Sequence, residues 1–152
     1  MIETAECLGE DDKLIIFCEY MQSVDMLKHA LSASGIGCVS LVGSDSSSKR
    51  QKAIDTFQTD PATRVFIATT AAAGVGITLT KATWVAFGSC PWTPAVMRQA
   101  EDRAYRLGQT RDVNVLVPLI PGTIDEKVWQ LIGAKTEIEE DVVEAVRAEL
   151  GV

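Results

Sequence analysis

At 152 residues the chain has the length of one domain, and its net charge of −7 argues against a free-standing nucleic-acid binder, whose phosphate contacts need a basic surface. With 47% hydrophobic and 23% charged residues it is not globally disordered. No window reaches the roughly 18 to 20 apolar residues of a membrane span.

Met1 to Asp12 is acidic and lacks the basic-then-apolar pattern of a signal peptide, so the expectation is an intracellular protein. Cys7, Cys18, Cys38 and Cys90 are far apart, and Cys18 and Cys38 sit in apolar runs, which reads as core thiols in a reducing compartment. One histidine, His29, speaks against a histidine-based metal site, and no residue is assigned to a metal. Much of the negative charge lies at the two ends, while Lys49-Arg50-Lys52 and Arg98 to Arg111 are locally basic.

Lys13 to Cys18 is a short continuous apolar run, as expected for a strand buried on both faces. Val24, Leu27, Ala30 and Leu31 then repeat at helical spacing, closed by Gly35 and Gly37, and Cys38 to Val42 is a second strand. A polar loop, Gly43 to Ser48, leads into a helix that Ser46 or Ser47 can cap, with Ile54 and Phe57 as its apolar edge and Asp60-Pro61 at its end. Arg64 to Thr69 is a third strand running into the loop Thr70 to Thr80, and Thr83 to Phe87 is a fourth. Pro91-Trp92-Thr93-Pro94 opens a helix expected to run from about Arg98 to Gln109, with Gly108 as its stop. Val113 to Ile120 is a fifth strand, then Pro121-Gly122-Thr123 and a helix to about Ile132; the acidic C-terminal piece forms one more helix or frays. The expected domains are an acidic extension (1–12), one α/β lobe (13–135) and an acidic helix or tail (136–152). The fold class is an open, mostly parallel α/β sheet with helices on both faces, whose ligand sits beyond the carboxyl ends of the strands.

Read as a helix, the stretch from Arg98 to Gln109 puts Gln99, Arg103 and Arg106 on one stripe, beside an apolar stripe of Val96, Ala100, Ala104 and Leu107. Two guanidinium groups in fixed relative positions suit a multiply charged oxyanion such as a phosphate. Gly74-Val75-Gly76 follows a strand but lacks the full dinucleotide fingerprint, and Gly-x-x-x-x-Gly-Lys-Ser/Thr is nowhere in the sequence. Asp125-Glu126 falls in the first turn of a helix, where acids are favoured without any metal.

From Lys13 to about Lys135 the sequence resembles the C-terminal lobe of Swi/Snf-like superfamily-two DNA translocases, and within them the annealing-helicase (HARP-like) branch. The run Gln99-Ala-Glu-Asp-Arg103-Ala-Tyr-Arg106-Leu-Gly-Gln109 carries the likeness, with Thr69 to Thr80 and Gly43 to Phe57 as looser matches. The resemblance implies a RecA-like lobe that pairs with a P-loop-bearing first lobe to clamp ATP and its Mg2+. It implies Arg103 and Arg106 as arginine fingers, with Gln99 and Asp102 organising them and Gly74 and Gly76 bringing the loop to the nucleotide. Thr69, Thr70, Ser44, Arg50 and Trp92 would meet double-stranded or branched DNA. Ala71 and Thr78 depart from the lysine and asparagine of many relatives, which implies an altered backbone contact there.

Two functions from different classes follow. One is the second lobe of an ATP-dependent DNA translocase, an excised or naturally split half that is inactive alone. The other is a catalytically silent lobe that binds a translocase or DNA as a regulator.

Overall fold

A computed structural model describes residues 1–73, 77–91, 93–105 and 108–150, and their side chains except those of 73, 137 and 139–150. Five strands form a single all-parallel sheet: β1 (Leu14–Cys18), β2 (Gly37–Leu41), β3 (Thr63–Thr69), β4 (Trp84–Phe87) and β5 (Asn114–Leu116), in the order β2-β3-β1-β4-β5. The helices are α1 (Ile2–Glu6), α2 (Met21–Ala33), α3 (Ser47–Thr59), α4 (Thr70–Ala73), α5 (Pro94–Ala104) and α6 (Ile124–Leu150).

β1 is central, with Leu14 opposite Val65 of β3 on one side and Trp84 of β4 on the other. All five of its residues are buried, which is why it reads as an unbroken apolar run. The strand's period of two sorts them. Ile15 and Phe17 join Phe57, Phe66, Val85, Phe87, Ala100 and Ala104 under α3 and α5. Leu14, Ile16 and Cys18 join Val24, Leu31, Val65 and Ile67 under α2. Burial of each large side chain here contributes roughly 1.5–3 kcal/mol. Trp84 packs against the second cluster and Trp129 against a third, formed by Cys90, Val128 and Ile132, so both tryptophans serve the core as their setting in apolar segments suggests.

Several boundaries follow from local chemistry. The Ser46 hydroxyl accepts from the Lys49 N–H and caps α3. Thr93 caps α5 in the same way, with Pro94 in the first turn. At Gly37 a β-carbon would collide with the carbonyl oxygen of Ala62, so β2 can join β3 there only through glycine. Burial pushes the Cys18 thiol up to about 11, as suits an inert core thiol.

Three expectations are corrected. β5 ends at Leu116, not near Ile120: Pro118 has no N–H for a ladder, and Leu119 and Ile120 are exposed. The piece after Ile132 is neither a separate helix nor a fray, because α6 runs unbroken from Ile124 to Leu150 through Gly133. The supposed loop after β3 opens with the single turn α4. The acidic N-terminal stretch contains α1, whose Ala5 is buried with Met1, Ile2 and Leu8 against the second cluster.

Candidate functional site

α5 leaves the carboxyl end of β4 and runs back along the sheet. Its last turn meets the return segment 77–83, which leads into the amino end of β4. There the Leu79 N–H donates to the Arg103 carbonyl at 2.8 Å, and the N–H groups of Thr83 and Trp84 donate to the Lys13 carbonyl. Thr69 and Thr70 stand at the carboxyl edge of the sheet, whereas Arg103 is held by the return segment, so the carboxyl-edge rule places one part of the site and not the other.

Arg103 is only 7% exposed, beside buried Ala100 and Ala104. Its Nε and Nη1 are buried with no hydrogen-bond partner among the described residues. Such a group is rare in a folded protein, since leaving a buried charged donor unpaired costs about 1–3 kcal/mol or more. Gln99 and Asp102 are exposed, so the stripe expected for Gln99 and Arg103 divides: one side chain faces solvent and the other lies under the helix.

The helix is also shorter than expected. α5 ends at Ala104, with Tyr105 leaving helical conformation at ψ 79°. Gly108 takes a φ of +103°, a conformation that favours glycine, four residues past the end of the helix. Gln109 turns its amide onto the return segment, with Nε2 donating to the carbonyls of Thr80 at 3.0 Å and Ala82 at 2.8 Å, while its Oε1 accepts from the Arg111 N–H at 3.0 Å. On the other side Gln58 of α3 accepts from the Lys81 N–H at 3.1 Å. Gln58 and Gln109 are the residues that sequence reasoning left without a role. Gln109 closes the arginine-bearing run, but only the chain reversal shows what it grips.

Burial pushes the Glu101 carboxyl up, and the neighbouring Asp102 adds to this while Arg98 opposes it. Gly74, Gly76, Trp92 and Arg106 lie outside the described residues. Ser44 is exposed on the loop after β2. Thr69 is buried, and its hydroxyl accepts from the Ala72 N–H at 3.4 Å. The Thr70 hydroxyl donates to the Cys18 carbonyl at 3.3 Å. Arg50 reaches from α3 to the Ala72 carbonyl at 3.0 Å, bracing the turn that follows β3. A pocket of about 140 Å³ opens between this turn and α5, lined by Phe17, Glu19, Thr70, Phe87, Cys90 and Val96.

A larger cavity of about 500 Å³ lies at the amino edge, among Asp12, Lys13, Arg64, Thr83, Gln109 and Arg111. Three of its cations, Lys13, Arg64 and Arg111, are already engaged. Lys13 donates to the carbonyls of Phe57 and Asp60, Arg64 to those of Asp12 and Gly9, and Arg111 to the Asp11 carbonyl and the Asp12 carboxylate. The Thr83 hydroxyl first, and then Arg111, hold the Asp12 carboxyl below its ordinary value of 3.8. Glu126 accepts from the Gly122 N–H at 3.1 Å, closing the first turn of α6 as the sequence suggests.

A five-stranded parallel sheet of this order, with an arginine-bearing helix after its fourth strand, is a RecA-like lobe. Residues 2–108 match the family model described as the helicase conserved C-terminal domain, and the chain belongs to that family. It is 35% identical over 126 residues to the DNA annealing helicase and endonuclease ZRANB3 of Homo sapiens, covering 83% of this chain and 12% of that protein. To the chromatin-remodeling ATPase INO80 of Saccharomyces cerevisiae it is 34% identical over 136 residues, covering 90% of this chain and 9% of that protein. The solved structure of the C-terminal part of the Fun30 ATPase domain superposes with a TM-score of 0.76 at 37% identity, over 80% of this chain and 39% of that one. The chain thus spans about an eighth or less of these two curated relatives. The resemblance to the second lobe of Swi/Snf-like translocases, annealing helicases among them, is borne out.

Proposed function

We propose that this lobe works as the second half of an ATP-dependent double-stranded DNA translocase of the annealing-helicase kind. Arg103 and Arg106 supply arginine fingers to ATP, and a P-loop-bearing first lobe, on the same polypeptide or another, holds the triphosphate with its Mg2+. The observation that carries this reading is the Arg103 guanidinium, buried with two donor nitrogens that nothing among the described residues satisfies. A guanidinium is always charged, and its planar fork matches phosphate oxygens, so an incoming phosphate completes what the fold leaves open. A supplied arginine is worth roughly 10³ to 10⁵ in the rate of phosphoryl transfer, about 4 to 7 kcal/mol of barrier. Because the arginines and the triphosphate belong to different lobes, turnover requires the lobes to close, and that couples hydrolysis to movement on DNA.

Gln99 and Asp102, exposed on α5, would order the groups around the nucleotide, and Gly74 and Gly76 would let the loop approach it. Ser44, Thr70 and Trp92 would meet the DNA backbone, with Thr69 and Arg50 bracing the turn from behind. The family's relatives include proteins named as ATP-dependent helicases, which agrees with the use of ATP.

The test is ATP hydrolysis by the chain alone and after addition of a matching first lobe and double-stranded DNA. Turnover is expected only in the complete mixture, and Arg103→Ala should abolish it. Robust turnover by the chain alone contradicts the half-site. First-lobe binding that is indifferent to Arg103→Ala, without any hydrolysis, favours a silent regulator instead.

A further inference from the structure

The Arg103 head has no partner on Nε or Nη1 among the described residues, so its side-chain contacts there leave those two groups unanchored. What fixes it is the backbone on either side. Upstream, the helix delivers Arg103, and the Tyr105 N–H still bonds to the Glu101 carbonyl at 2.9 Å. At Arg103 itself, the carbonyl accepts from Leu79. Downstream, the next described anchor is Gln109, whose amide takes two carbonyls of the same return segment, at Thr80 and Ala82. The Arg103 carbonyl and the Gln109 amide are therefore both tied to one strip of four residues, Leu79 to Ala82. One of those ties is a side chain.

We propose that Gln109 is a positioning residue for Arg103, holding in place the strip that bonds the Arg103 carbonyl and so setting where Arg103 stands when phosphate arrives; the proposal rests on the function proposed above. The chemistry is specific to the amide. Its NH2 donates twice to carbonyls while its oxygen accepts from Arg111, so three of its four hydrogen-bonding sites are used. A carboxylate of the same shape would turn an acceptor toward two carbonyl oxygens, and a thioether of similar length would offer nothing. Neither change touches a residue placed at the nucleotide or at DNA. A misplacement on the order of 1 Å at a charge-stabilising group costs up to roughly 100-fold in rate, and that cost is felt where charge develops, not where the ground state binds.

The experiment uses the chain paired with its first lobe and DNA, and compares affinity for ADP with aluminium fluoride, a transition-state mimic, against affinity for ADP alone. Gln109→Met is expected to weaken the mimic about 10- to 100-fold and to leave ADP within about twofold. The ratio of the two affinities is unaffected by any unfolded fraction, so general destabilisation does not imitate the effect. Should Gln109→Met not fold, Gln109→Glu keeps the oxygen that accepts from Arg111 and is expected to give the same split. An unchanged ratio, or equal losses for both ligands, overturns the proposal. Arg103→Ala is the control: if it too leaves the ratio unchanged, the proposed arginine-finger function fails. If it lowers the ratio and the Gln109 variants do not, only the role of Gln109 fails.

Discussion

Two sets of cationic side chains lie close to the backbone strip that leads into β4, and they are treated in opposite ways. Lys13, Arg64 and Arg111 at the amino edge are tied to carbonyls of Phe57, Asp60, Asp12, Gly9 and Asp11 and to the Asp12 carboxylate. Arg103 is at least as buried as Lys13, yet two of its donor nitrogens meet no partner among the described residues. The larger cavity belongs to the first set and the orphaned donors to the second. Cavity size and unsatisfied charge thus point to different places in this lobe, and the proposed phosphate contact follows the unsatisfied charge.

The contrast is sharpened first by Lys13→Met. Removing the ammonium leaves the carbonyls at the end of α3 without their donor, and we expect a loss of about 1–3 kcal/mol. For a chain of this length that is a fall of about 2 to 12 °C in melting temperature. A melt unchanged from the parent would mean that the amino-edge network is not structural.

A smaller effect is expected from acid. Asp12 is held below 3.8 by Thr83 and Arg111, so its carboxylate contributes stability above that value and loses it as the pH falls through the lowered one. Melting temperatures of the parent and of Asp12→Asn should differ near neutrality and converge as the pH drops below about 4. A gap that stays constant across that range would show that the charge of Asp12 is irrelevant to the network.

Much of the fold was legible because its signals are local. β1 is a buried apolar run, the caps at Ser46 and Thr93 are single hydroxyls one step before a helix, and the apolar side of α5 at Ala100 and Ala104 follows from helical spacing. The site was legible as a list of residues but not as an arrangement. Helical spacing put Gln99 and Arg103 on one open face, whereas tertiary packing buries Arg103 and exposes Gln99. The end of α5 could not be read from Gly108, which lies four residues beyond it, and nothing local announces that Gln109 bonds to residues 27 and 29 positions earlier in the chain. No spacing rule marks Arg50 as a brace for the turn after β3.

Whether Arg103 is left unsatisfied for a ligand or for the fold is tested by Arg103→Met, one variant with two readings. Replacing an unpaired buried charge with an apolar side chain of similar length should leave the melting temperature unchanged or raise it by a few degrees, on the order of 1 kcal/mol. The same variant, paired with a first lobe and DNA, should lose ATP hydrolysis. A melting temperature that falls as far as it does in Lys13→Met would place Arg103 with the structural cations, and hydrolysis that survives the substitution would contradict its role outright.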